Sequence, residues 1–176
     1  MKTKTEKILM AMTFLAYLAI IGFSIECGGQ IVSLIITLNN PDLSRKLYYV
    51  NEGFLALKDH GLWYYILAMS LVISISALQI YVWYCVIQLL SKLNLRNPFS
   101  MEVANNLKDI SYGLLSIWLV SVVGKIYIEW TAKATGETQT GIGVADEFFF
   151  IAGIVYIIAQ VFKRGIEIQE ENQLTV

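Results

Sequence analysis

The chain of 176 residues has few of the side chains on which enzyme and metal sites depend. It contains one histidine and two cysteines, and only 15% of its residues are charged. A multi-histidine metal site or axial haem ligation needs more than His60, and Cys27 and Cys85 are too far apart for a Cys-x-x-Cys motif. No glycine-rich phosphate loop or nucleophile elbow occurs. The sequence therefore predicts a protein that is not an enzyme and that carries no cofactor or metal.

An excess of charge of either sign is also missing. The chain has 13 lysines and arginines against 14 aspartates and glutamates, which gives a net charge of -1, and its pI is near 5.8. Nucleic-acid-binding surfaces are strongly basic. We therefore expect no direct nucleic-acid binding, and any role on DNA would need a partner protein.

Long apolar stretches make up most of what is present. The hydrophobic fraction is 56% and the mean hydropathy is +0.59. The stretches run over about residues 8–38, 62–90, 110–130 and 144–162. Roughly 20 helical residues cross a bilayer core, and backbone groups in lipid must pair within their own helix. The sequence predicts an all-α integral membrane four-helix bundle over residues 1–176, with a first helix too long to be a cleaved signal peptide.

The distribution of basic residues predicts the topology. Lysine and arginine gather at the N-terminus, in the loop 91–109 and in the tail 163–176, whereas the two other loops carry fewer. Basic loops remain in the cytoplasm. We predict that both termini, the loop 91–109 and the tail are cytoplasmic.

Two loops carry helix-start signals. After Asn40-Pro41-Asp42, apolar residues recur at helical spacing at Leu43, Leu47, Val50 and Phe54, which predicts a short interfacial helix on the outer leaflet. Ser100 follows Asn97-Pro98-Phe99 and is placed to cap a helix from Met101 to about Trp130.

Several polar groups are predicted at membrane depth. A charged side chain inside a span costs roughly 2.5–3.5 kcal/mol and needs a partner or a cavity. We predict an ion pair between Glu26 and Lys125, with local pairing of Lys125 to Glu129 as the alternative. Gly22, Gly28 and Gly29 favour close helix packing, and dimerisation through this face is an open alternative. The intramembrane polar residues also include Gln30, Gln79 and Gln160.

The tail and the segment before the third long helix carry a family resemblance. With its ending FKRGIEIQEENQLTV and the upstream LNLRNPFS, the chain resembles the small bacterial four-helix membrane proteins of domain of unknown function family 2975. The resemblance implies a bacterial cytoplasmic (inner) membrane protein without an assigned activity, often encoded near a small helix-turn-helix transcriptional regulator. It also implies a cytoplasmic DNA-binding partner.

Such a partner would meet the cytoplasmic face. The residues assigned to it are Asn97, Pro98, Phe99, Ser100, Gly165, Glu167, Gln169, Glu170, Glu171, Asn172 and Leu174. The leading hypothesis is a non-enzymatic membrane tether of this regulator. The alternative is a small transporter or permease component that uses Glu26, Lys125 and Glu129.

Overall fold

The computed structural model describes residues 4–40, 52–93, 99–136, 142–143 and 146–174. Over these ranges the chain forms five helices and no strand: α1 (Lys4–Asn39), α2 (Glu52–His60), α3 (Leu62–Lys92), α4 (Met101–Thr135) and α5 (Glu147–Leu174). All except α2 are long and apolar enough to cross a membrane. The all-α prediction with four membrane helices is confirmed, and the chain is a multi-pass membrane protein by these criteria.

The surface of the long helices is apolar, as a lipid environment requires. Phe14 of α1 is 63% exposed, and Phe150 and Ile157 of α5 are exposed to a similar extent. The buried side of α1 is instead small and polar, with Ala16, Gln30, Ser33 and Thr37. In lipid there is no hydrophobic gain from bringing two apolar faces together, so small and polar side chains typically form the helix interfaces.

The ends of α4 follow from local capping chemistry. The Ser100 hydroxyl accepts a hydrogen bond from the Val103 N–H at 3.3 Å, which confirms the predicted cap. Gly136 adopts φ 75° and donates its N–H to the Ala132 carbonyl at 2.9 Å, closing the helix in the left-handed conformation that glycine tolerates. The helix ends at Thr135, just over one turn beyond the predicted Trp130.

The first loop contains α2, which packs against the long helices. Phe54 and Leu57 are buried and contact Tyr65 and Met69 of α3. Lys58 Nζ donates a hydrogen bond to the Thr37 carbonyl of α1. Most of the predicted interfacial helix, residues 41–50, lies outside the described residues, and its last apolar position, Phe54, is buried in protein.

The long helices pack in chain order. α1 packs on α3, α3 on α4, and α4 on α5, while α2 contacts α3 and α4. No described Cα atom of α1 lies within 8 Å of one in α4 or α5. The described helices therefore form an open row, in which α1 packs directly on α3 and is linked to α2 by the Lys58–Thr37 hydrogen bond.

α5 is displaced along α4 by about half a helix length. Trp118, at the middle of α4, donates its indole N–H to the Asp146 carboxylate at 3.4 Å just before α5 begins. At the other end, the Phe99 ring lies against Gly165. The last eight residues of α5 therefore extend about 12 Å beyond the start of α4.

Two apolar clusters form the protein core. The α2 cluster consists of Phe54, Leu57, Tyr65, Ala68, Met69 and Ile128. The α5 cluster consists of Val82, Cys85, Ile110, Leu114, Ile117 and Ala152. Between the clusters, α3 and α4 carry polar residues, and these line the candidate site.

Candidate functional site

A cavity of about 280 Å³ lies between the α2 and α5 clusters. Its polar lining residues are Glu26 and Gln30 of α1, Ser76 and Gln79 of α3, and Ser121 of α4. Its apolar walls are Val72, Ile75, Ile117, Ile142, Gly143 and Phe148. The structure therefore brings together three of the polar residues predicted at membrane depth, Glu26, Gln30 and Gln79.

A hydrogen-bonded chain holds one side of the cavity. The Ser76 hydroxyl donates to Gln30 Oε1 at 2.9 Å, and Gln30 Nε2 donates to Glu26 Oε1 at 3.4 Å. Ser76 and Gln30 are both buried, and a buried polar group left without a partner costs about 1–3 kcal/mol. The chain thus fixes α1 on α3 and orients the Glu26 carboxylate at the mouth of the cavity.

Two further polar side chains line the cavity without a protein partner. Ser121 is only 4% exposed, and neither its hydroxyl nor the Gln79 amide forms a hydrogen bond with a described residue. Ser116 of the same helix, by contrast, donates its hydroxyl to the Tyr112 carbonyl one turn back at 2.8 Å. The Ser121 and Gln79 groups are therefore available to whatever the cavity contains.

Sequence reasoning missed Ser76 and Ser121. Both are serines within apolar helices, as are the exposed Ser70 and Ser74, which bond within α3. The two groups of serines look alike in the sequence, and only the packing of α1, α3 and α4 shows which of them line the cavity.

The predicted ion pair between Glu26 and Lys125 is wrong. The Gln30–Ser76 hydrogen bond sets these two residues at the same height along the helix axes. Glu26 is one turn before Gln30, so it lies near Ile80, which is one turn after Ser76 in α3. The contact of Gly113 with Val82 places α4 residues near position 115 at the same height. Lys125 is therefore about 15 Å farther along the helix axis.

The prediction aligned the helices by their apolar ends, and the structure offsets them. Lys125 instead approaches Glu129 of its own helix at 4.0 Å, with both side chains more than half exposed. The structure therefore contains the alternative, the local pair of Lys125 with Glu129. Gln160 is exposed on α5 and does not line the cavity.

The predicted close packing at the α1 glycines is also wrong for Gly22 and Gly28. A Cβ atom built at either position has no neighbour within 4 Å, so none of the described helices approaches closely there. The close approach lies at Gly113 of α4, where an added Cβ would be 2.6 Å from Val82 Cγ2. The close approach of two helices through a glycine thus lies between α3 and α4 and not at Gly22 or Gly28 of α1.

The opposite end of α4 and α5 contains the residues assigned to a partner. An added Cβ at Gly165 would be 2.8 Å from the Phe99 ring, and the rings of Phe99 and Phe162 are 5.3 Å apart. Ile166 is buried behind this contact, and Arg164 forms an ion pair with Glu167 at 2.7 Å. The two segments predicted to bind a partner are thus joined at Phe99 and Gly165.

On this side of the molecule, α5 continues as a helix to Leu174. We call Phe99, Ser100 and residues 165–171 the tail face. Glu170 is exposed on it, and Gln169 is half-buried. Asn97 and Pro98 lie outside the described residues, and the side chains of Asn172 and Leu174 are not described.

Comparison with known proteins gives a family without an assigned activity. No curated protein and no solved structure matches the chain. The family model for DUF2975, a protein of unknown function, matches residues 16–176 and so covers α2, α3, α4 and α5 completely and most of α1. The resemblance seen in the tail and before α4 is confirmed, and the chain belongs to the DUF2975 family.

Proposed function

We propose that the chain is a non-enzymatic protein of the bacterial inner membrane whose tail face binds a soluble helix-turn-helix transcriptional regulator. Both termini and the tail face lie in the cytoplasm in this proposal, as the basic residues of the sequence favour. The observation that carries the proposal is the packing of the Phe99 ring on Gly165. It joins two segments that are far apart in sequence into one surface at the end of the long helices.

The form of the tail supports binding to a basic protein. α5 continues as a helix through the acidic residues Glu167, Glu170 and Glu171. A segment already ordered in the free protein loses less conformational entropy when it binds. DNA-binding proteins carry basic surfaces, so the acidic tail offers the complementary charge. Such binding would keep the regulator at the membrane.

Cell fractionation tests this proposal. The chain is co-expressed with a small soluble helix-turn-helix regulator of the kind that the family resemblance implies, and the membrane-bound fraction of the regulator is measured. We expect the intact chain to retain the regulator on the membrane. A chain truncated after Arg164, or carrying Glu170→Lys, should release it, because acidic groups of the tail face are removed or reversed.

The matched control is Glu147→Lys, which makes the same charge reversal at the other end of α5. It should leave the regulator on the membrane. A regulator that remains soluble beside the intact, membrane-inserted chain would overturn the proposal.

A second candidate is a small transport component, which the position of Glu26 at a polar cavity favours. Lys125 and Glu129 do not belong to this version, because they pair with each other away from the cavity. Solute or ion flux into vesicles containing the protein should then be abolished by Glu26→Gln and unchanged by truncation after Arg164. Flux that is insensitive to Glu26→Gln would rule this candidate out.

A further inference from the structure

The cavity between the two clusters carries a net negative charge without a protein counter-charge. Glu26 is its one ionisable lining residue, and no lysine or arginine lies among the described lining residues. A carboxylate at membrane depth needs a compensating positive charge or a proton.

The lining groups suit a small, hard cation. Hydroxyl, amide and carboxylate oxygens are the ligands that such cations prefer. Ser121 and Gln79 have no described protein partner, so their oxygens are free to coordinate. One carboxylate balances one positive charge. A volume of about 280 Å³ exceeds that of a bare ion, so a bound cation would keep several of its waters.

The displacement of α5 leaves one wall of this cavity to residues outside the helices. α5 begins beside Trp118, so it does not cover the second half of α4. There the side chain of Ile142 packs on Gly124, and an added Cβ at Gly124 would lie 2.9 Å from it. Ile142 and Gly143 line the cavity on this side and are not part of a helix.

We propose that this cavity is a binding site for a monovalent metal cation, Na⁺, with the Glu26 carboxylate as its counter-charge and Gln79 and Ser121 as oxygen donors. The proposal requires neither a bound regulator nor transport across the membrane, because it concerns occupancy of one site.

Sodium binding to the purified full chain in nanodiscs tests it. The measurements are saturable binding of radioactive sodium and the thermal unfolding midpoint in sodium chloride against choline chloride at equal ionic strength. We expect saturable binding and a rise of about 3 °C in the midpoint with sodium, because a ligand that binds only the folded state stabilises it. Glu26→Gln should weaken sodium binding at least tenfold.

The variant should fold, because the glutamine oxygen can still accept the Gln30 hydrogen bond. Glu129→Gln is the matched control, since Glu129 pairs with Lys125 outside the cavity, and it should bind sodium as the unmodified chain does. Truncation after Arg164 should also leave sodium binding unchanged, which separates this site from the tail face.

Two results would overturn the proposal. One is an unfolding midpoint that is equal in sodium and choline together with no saturable sodium binding. The other is a midpoint that depends on pH through Glu26 but not on sodium, which would show that the carboxylate takes a proton instead.

Discussion

The two sides of α3 are packed by different kinds of residue. Towards α1 the contact is made by small and polar side chains, with Gln30 bonded to Ser76. Towards α4 it is made by the apolar α5 cluster and by the close approach at Gly113. The first interface depends on a few hydrogen bonds, whereas the second depends on shape and on many dispersion contacts. Replacement of a single polar residue at this interface should therefore weaken the attachment of α1 to α3.

The largest effect should come from the apolar side. Leu114→Ala removes a side chain that is 8% exposed within the α5 cluster, and we expect a loss of about 3 kcal/mol in the free energy of unfolding. Leu119→Ala on the same helix is the control, since Leu119 is 50% exposed and lipid replaces its contacts. Unfolding in detergent micelles measures both. Equal losses would show that burial within the protein does not decide the cost.

The close contact of α3 and α4 should show the next largest effect. Gly113→Ala forces an added methyl against Val82, and we expect a loss of about 2 kcal/mol. Gly153→Ala adds the same methyl to open space on α5, where it should be neutral or stabilising by up to about 1 kcal/mol. The comparison of the two unfolding free energies checks this. A Gly113→Ala chain as stable as the Gly153→Ala chain would contradict the close approach.

On the polar side, a double-mutant cycle measures the hydrogen bond between α1 and α3. Gln30→Leu and Ser76→Ala should each destabilise the chain, and together they should lose less than the sum. We expect a coupling energy of about 0.6 kcal/mol, with about 1.7 kcal/mol as the upper end for such bonds in membranes. Ser74→Ala is the control, since its hydroxyl bonds to Ser70 within α3. Additivity of Gln30→Leu with Ser76→Ala would exclude the bond.

The smallest effect should come from the exposed ion pair. Glu129→Gln removes the partner of Lys125, and because both side chains are more than half exposed we expect a loss below about 0.5 kcal/mol. Thermal unfolding in low and high salt checks this, since screening should remove the small difference. A loss of unfolding free energy larger than the coupling energy of Gln30 with Ser76 would contradict this prediction.

The sequence predicts which segments form helices, but it does not predict how far the helices are shifted along one another. Apolar runs locate the long helices because lipid allows the backbone no other solution, and the Ser100 cap follows from a local pattern. The relative height of the helices does not follow from such runs. The apolar run of α1 is longer than the bilayer is thick, so α1 can shift along its axis relative to α4. Alignment by the ends of the runs therefore places Glu26 and Lys125 at one level, whereas they are about 15 Å apart.

Part of the candidate site was predictable for the same reason. Polar residues in an apolar helix, such as Gln30 and Gln79, are visible in the sequence and were assigned to membrane depth. Their convergence on one cavity depends on which helix faces are buried, and the burial pattern of α1 was not predicted. The pairing of Phe99 with Gly165 was likewise not evident, although each lay in a segment assigned to the partner.

The short apolar part of α5 has a consequence for the lipid around it. Between Glu147 and Lys163 the helix has 15 residues without a charge, about 22 Å, whereas α3 has 30 such residues from Leu62 to Ser91. A bilayer core of about 30 Å cannot match both helices at once. Thinning of the leaflets beside α5, or snorkelling of the charged residues that flank its apolar part, accommodates this mismatch, which favours thinner regions of the bilayer as the protein's surroundings.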